Sequence, residues 1–134
     1  MKTSIHLTFD GQCEEAFRFY ESIGIGKINL MLKYGESPAG AKTPPEEHDK
    51  IVHANLEVGG GALAGADAMP ADYQPPRGFY VLLDVDAPTE AERIFGLLAE
   101  CGTVKMALQE TFWAPRFGVV VDRFGIPWEV NCGK

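Results

Sequence analysis

Two helix-forming segments of this chain are copies of one another, and that internal repeat constrains the fold more than any other feature. Glu90, Ala91, Arg93, Ile94 and Phe95 each lie 75 positions after Glu15, Ala16, Arg18, Phe19 and Tyr20. In the second copy Ala91, Ile94, Phe95 and Leu98 recur at i, i+3, i+4 and i+7, the single apolar stripe of an amphipathic helix. Thr89 with Glu92 three residues on reads as its capping box, and Gly102 as its stop. In the first copy Ala16, Phe19, Tyr20 and Ile23 form the stripe of a helix from about Gln12 to Ser22, with Gly24 as its C-cap.

The flanking segments repeat as well. A strand-like run precedes each helix, Ser4–Phe9 and Phe79–Val85, and several follow it. After the first helix come Lys27–Tyr34, Ile51–Val58 and Ala62–Ala66; after the second come Thr103–Trp113, Gly118–Asp122 and Trp128–Asn131. This is β-α-β-β-β twice over, an α+β fold with module 1 at about 1–67 and module 2 at about 78–134 of one domain spanning 1–134. The proline-bearing stretch Gly35–Lys50 reads as a mobile surface excursion, Asp67–Gly78 joins the halves, and Gly59–Gly61 and Asp122–Pro127 are tight turns. No helix-opening GxGxxG follows a strand, so the three glycines read as hairpin residues and not as a nucleotide loop.

In each half the apolar side of a strand must cover the helix, which leaves the other side free to line a concavity. Alternation separates the two sides. Ile5, Leu7 and Phe9 turn toward the helix and Ser4, His6 and Thr8 away from it; Val52, Ala54, Leu56 and Val58 oppose His53, Asn55 and Glu57. On the last strand Trp128 and Val130 share one side, Glu129 and Asn131 the other. The polar surface so formed is either a binding cavity or a solvated sheet face.

A net charge of −7 with scattered basic residues argues against a nucleic-acid partner, which would be held by clustered Lys and Arg. Apolar runs such as Phe79–Leu83 and Phe117–Val121 are strand-length, and the amino terminus lacks the apolar run of a secretory signal; a cytoplasmic protein with no membrane span is expected. Cys13, Cys101 and Cys132 have neither CxxC nor zinc-knuckle spacing and read as reduced structural thiols.

The stretch Met106–Val130, MALQETFWAPRFGVVVDRFGIPWEV, together with Phe9–Ala16 and Asp67–Pro70, resembles the PhnB-like branch of the glyoxalase/bleomycin-resistance/dioxygenase (vicinal oxygen chelate) superfamily. QETFW, then a basic residue and Phe-Gly, then DRFGIPW, carry the resemblance, which covers essentially the whole chain. It implies two βαβββ modules curled into a cup-shaped mixed sheet with helices on the outer face, commonly as a homodimer. It also implies a divalent metal (zinc, nickel, manganese or iron) at the base of the cup, held by the first and last strands of the two modules and acting as a Lewis acid. Glu129 falls on the last-strand carboxylate position. The first-strand position falls near Ser4, with His6 two residues on and on the same face; the remaining positions fall near Tyr80 and Gly65, neither a usual ligand.

Two functions follow from the resemblance. The chain is a metal-dependent enzyme of lyase, isomerase or dioxygenase type acting on a small polar metabolite, with His6 and Glu129 as ligands and His53 as the base. Alternatively it binds and sequesters a small molecule without a metal, as resistance members do. Asn55, Tyr80, Gln109, Trp113 and Arg116 form the substrate-binding set, Arg116 through bidentate contact with an anion. Each also has a plain structural reading: a hydrogen-bonded histidine for His53, core packing for Trp113, a surface ion pair for Arg116. A third possibility is an interaction module whose dimer surface is the function. Ubiquinone methyl transfer, attached to some relatives by name, finds no glycine-rich βα loop or parallel sheet to support it.

Overall fold

The computed structural model describes residues 1–133. The chain divides into two compact units, Met1–Gln74 and Pro75–Lys134. The first contains β1 (Ile5–Phe9), α1 (Cys13–Ser22), β2 (Lys27–Lys33), β3 (Ile51–Val58) and β4 (Gly61–Asp67). The second contains β5 (Val81–Val85), α2 (Pro88–Ala99), β6 (Thr103–Gln109), β7 (Arg116–Val121) and β8 (Pro127–Cys132). Each unit is a four-stranded mixed sheet with one helix, ordered β1-β4-β3-β2 and β5-β8-β7-β6. The outer pairs β1/β4 and β5/β8 run parallel and the remaining pairs antiparallel.

Period-two alternation fixes which face of each sheet meets its helix. Leu7, Phe9, Ala54, Leu56 and Leu63 are buried in the first unit, Val81, Leu83, Val120, Trp128 and Val130 in the second. Burying a large apolar side chain fully contributes about 1.5–3 kcal/mol relative to leaving it in water, so each helix–sheet layer is a core in its own right.

The helices follow the repeat with two corrections. On α1 Ala16, Tyr20 and Ile23 are buried as expected, Cys13 and Phe17 join them, and Phe19 is only half-buried. Phe17 takes the place because its ring packs edge-on against Phe9, centroids 6.0 Å apart. On α2 the buried set is Ala91, Ile94, Phe95 and Leu98 as expected, but the helix begins at Pro88 after Ala87 and makes no side-chain cap. Proline at the first helical position, with its φ preset and no N–H to satisfy, displaces the expected Thr89 cap.

Small residues let each helix settle on its sheet. A Cβ built on Gly65 would lie 2.6 Å from Phe17 Cζ, and one on Gly118 would lie 2.6 Å from Phe95 Cε2. Gly26 and Gly102, just after the two helices, would clash in the same way with the carbonyl oxygens of Glu57 and Val121. The repeat therefore extends to the places where backbone meets helix.

The excursion between β2 and β3, expected to be mobile, is three short 3-10 turns tied to one another. Tyr34 N–H donates to Lys50 O at 2.9 Å and Gly35 N–H to His48 O at 3.0 Å. His48 Nε2 lies 3.1 Å from Gly40 O and 2.9 Å from Thr43 O. Carbonyls only accept, so that nitrogen carries the proton.

Candidate functional site

Strand register assembles a helix-free face on each sheet. In the first unit one cross-strand row reads His6, Ala64, Asn55, Leu30. His53, exposed and opposite Leu32, stands two residues along β3 from Asn55. In the second unit the equivalent row reads Leu82, Glu129, Val119, Met106, and the next reads Asp84, Asn131, Phe117, Gln109. Glu129 and Asn131 are half-buried, flanked along β8 by the wholly buried Trp128, Val130 and Cys132.

Polar groups on these faces are placed by neighbouring strands. Asn131 Nδ2 donates to Asp84 Oδ1 at 2.9 Å, while its Oδ1 is buried with no hydrogen-bond partner among the described residues. A buried acceptor left open is costly unless something else supplies the donor. Trp113, in the β6–β7 connection, is 48% exposed and stacks edge-on against Phe117 with centroids 5.2 Å apart. Phe112 caps the pair at 4.7 Å and is itself almost wholly in solvent.

A hollow of about 720 Å³ opens in the first unit, lined by Lys2, Ser4, Asn29, Asn55, Glu57 and the Gly59–Gly61 hairpin. Cavities of about 300–1,000 Å³ are the usual size for small-molecule sites. The hairpin is a two-residue turn in which Gly59 takes φ +54.

The expected site residues divide. His6, His53 and Asn55 stand on the helix-free face of the first sheet, and Glu129 and Gln109 on that of the second, although the Gln109 amide donates to Ala107 O at 3.0 Å. Tyr80 lies just before β5, 47% exposed. Arg116 pairs with Cys132, which places it on the helix side; its guanidinium donates to Glu92 Oε1 at 3.2 Å and to Pro115 O at 2.7 Å. Asn131 stands beside Glu129 as strand alternation places it, and Asp84, Asn29 and Lys105 join the inventory from the structure alone.

The register also tests the metal set. His6 faces Ala64 and Glu129 faces Leu82, so each first-strand and last-strand pair supplies one donor and one apolar side chain. Gly65 is opposite Leu7 and points at Phe17, on the helix side, where no ligand could stand. Among the described residues no group of three or more His, Cys, Asp or Glu is gathered. Divalent transition metals in proteins take three or four such donors; the residues present do not fit one.

Comparison with known proteins settles the kinship. The family described as 3-demethylubiquinone-9 3-methyltransferase matches residues 1–131. The chain belongs to that family. Protein YjdN of Escherichia coli K12 is 35% identical over all of this chain and 97% of its own length. The crystal structure of protein PA1353 from Pseudomonas aeruginosa, 44% identical, superposes with a TM-score of 0.90 over 99% of this chain and 98% of that one. A PhnB protein from Bacillus cereus, 22% identical, shares the fold with a TM-score of 0.84 over 99% of this chain and all of its own. Structures named for the glyoxalase/bleomycin resistance/dioxygenase family, from Frankia (18% identical, TM-score 0.65) and Burkholderia phytofirmans (15% identical, TM-score 0.62), share the fold too.

Proposed function

We propose that this protein binds a small polar molecule on the helix-free face of its first sheet without a resident metal, as a sequestering or carrier protein. The observation that carries the reading is the 720 Å³ hollow lined by Ser4, Asn29, Asn55 and Glu57. It is large enough for a metabolite and combines amide donors and acceptors with a carboxylate, the few placed polar groups that a binding cavity needs. Ser4, Asn29, Asn55 and Glu57 would contact ligand there, with His6 and His53 elsewhere on the same helix-free face of the first sheet.

The second reading is a metal-dependent lyase, isomerase or dioxygenase with His53 as the base. Glu129, half-buried on the last strand where the superfamily resemblance puts a carboxylate ligand, favours it. Against it stands the donor set, with Ala64 and Leu82 beside His6 and Glu129.

Methyl transfer, the activity in the family's description, is not carried over. The β1–α1 connection Asp10–Gln12 has one glycine, and each sheet has a single parallel pair, whereas a nucleotide-type cofactor is usually seated where a parallel sheet meets a glycine-rich loop. Among the described residues no helix is long and apolar enough to cross a membrane. The protein is proposed to act in the cytoplasm as a single domain, paired as a homodimer, which light scattering would verify.

Metal analysis of protein purified without chelator, then titration with zinc, nickel, manganese and iron(II), tests the reading. The expected result is substoichiometric metal and no saturable binding, unchanged in Glu129→Ala. Stoichiometric metal that Glu129→Ala abolishes would overturn it in favour of the enzyme. A metabolite screen by thermal shift should stabilise the wild type, and Asn55→Ala should lose that response.

A further inference from the structure

The bulges of the two sheets repeat as the helices do. Pairing skips from Ile28 to Leu30 on β2, leaving Asn29 as the extra residue, and from Val104 to Met106 on β6, leaving Lys105. A bulge bends its strand and re-aims the inserted side chain. Each of these residues lines a hollow in its own unit, Asn29 the cavity of about 720 Å³ and Lys105 one of about 290 Å³. The residue just before the first strand, Ser4 or Tyr80, and one at the start of the last, Ala62 or Pro127, line them too.

Their chemistry has diverged. The first hollow holds Lys2 and Glu57, one charge of each sign. The second holds Arg77 and Lys105 and, among the described residues, no carboxylate, with Phe79, Tyr80, Val121 and Pro127 as its walls. Arginine is otherwise spent on ion pairs in this chain: Arg18 with Glu14, Arg93 with Glu90, Arg116 with Glu92 and Arg123 with Glu100. Among the described residues Arg77 has no such partner, and neither has Lys105. Gly78, at φ +79, turns the chain between Arg77 and the run into β5. Both side chains are exposed, and in a protein of net charge −7 two cations lining one small hollow mark a local exception to the overall field.

We infer that this hollow is a binding site for a small organic carboxylate. The Arg77 guanidinium offers a planar fork matched to the two carboxylate oxygens and Lys105 adds a point charge. The Tyr80 hydroxyl can donate a further hydrogen bond, while Phe79, Val121 and Pro127 cover a flat apolar body. At about 290 Å³ the space suits a molecule of benzoate size. The inference is independent of the ligand proposed for the first unit.

The test is a titration of the full-length ¹⁵N-labelled chain with sodium benzoate, with benzylamine hydrochloride as the cationic counterpart at matched ionic strength. Benzoate is expected to shift the backbone amides of Gly78, Lys105 and Val121 saturably, and benzylamine to leave them in place. Arg77→Gln and Lys105→Gln should each weaken benzoate about tenfold or more, the range for losing a charge-assisted contact, and the double variant should abolish it. Lys42→Gln, in the first unit, should bind as the wild type does. Both target residues are exposed, so the variants' own spectra will show the fold retained. Absence of saturable shifts, equal shifts with benzylamine, or wild-type affinity in Arg77→Gln would overturn the inference.

Discussion

The indole Nε1 of Trp128 donates to Asp122 Oδ2 at 2.8 Å, and both residues are buried. Asp122 Oδ1 accepts in addition the backbone N–H groups of Phe124 at 2.9 Å and Ile126 at 3.0 Å. One carboxylate thus closes the β7–β8 turn on itself and fastens it to the first core residue pair of β8. This explains the DRFGIPW stretch physically: the aspartate accepts, the glycine takes φ +86 at Gly125, and the tryptophan reaches back. The same anchoring sets the strand on which Glu129 and Asn131 stand.

Asp122→Ala is therefore expected to destabilise the protein by about 3 kcal/mol or more, because it strands three buried donors. Asp122→Asn should cost less, since its oxygen can still accept the two amides while its NH₂ opposes the indole N–H. Urea unfolding followed by tryptophan fluorescence would measure both. Equal stability of Asp122→Ala and wild type would refute the anchoring role.

Asp67 plays a comparable part in the first unit. Its buried carboxylate accepts the N–H of Cys13 at 2.9 Å and of Ile51 at 2.8 Å, joining the start of α1 to the start of β3. Its backbone carbonyl accepts the Tyr34 hydroxyl at 3.1 Å. Removing the carboxylate in Asp67→Ala should cost about 2–4 kcal/mol, from two amides left without acceptors. Hydrogen exchange should locate the effect at Cys13 and Ile51, with the α2 amides protected as before. Uniform loss of protection would argue against so local a tie.

The sequence showed the repeat because helix periodicity and strand alternation are local signals, and both were written twice. The same alternation placed His53, Asn55 and Glu129 away from the helices. Arg116 escaped because a strand's facing depends on register: pairing with Cys132 and not Asn131 sends it to the helix side. Asn29 and Lys105 escaped because a bulge adds a residue without leaving a mark in the hydrophobic pattern. Phe17 and Phe19 are both compatible with a helical stripe, and only the Phe9 ring across the layer chooses between them. The ties within 34–50 rest on a histidine ring reaching carbonyls five and eight residues away, which propensity does not encode.

Gly65→Ala and Gly118→Ala should behave alike despite lying in different units. Each new methyl would press on the phenylalanine of the overlying helix, Phe17 or Phe95, at 2.6 Å. Overpacking of this kind costs about 1–3 kcal/mol. Calorimetry should find a lowered Tm for both, and Gly96→Ala, whose added methyl meets nothing within 4 Å, should be neutral or stabilising. A neutral Gly65→Ala would mean that the helix–sheet spacing is looser than the structure gives.

Cys13 provides a pH test. Burial, then the Asp67 carboxylate and then Glu14 push its thiol far above the ordinary range. In the unfolded chain the thiol titrates near about pH 8.5. The folded-state value is the higher one, so the contribution to stability is complete below that pH and is lost as pH rises, because only the unfolded state releases the proton. The stability difference between wild type and Cys13→Ala should hold constant from about pH 6 to 8 and then shift against the wild type by about 1.4 kcal/mol per pH unit above about 8.5. Urea midpoints measured on both proteins from pH 6 to 10 would reveal it. The same burial predicts that native protein exposes Cys101 alone to a thiol reagent at neutral pH, with Cys13 and Cys132 reacting only on unfolding. A fast-reacting Cys13, or a pH-independent difference, would show that the thiol is less enclosed than its place between α1 and β4 requires.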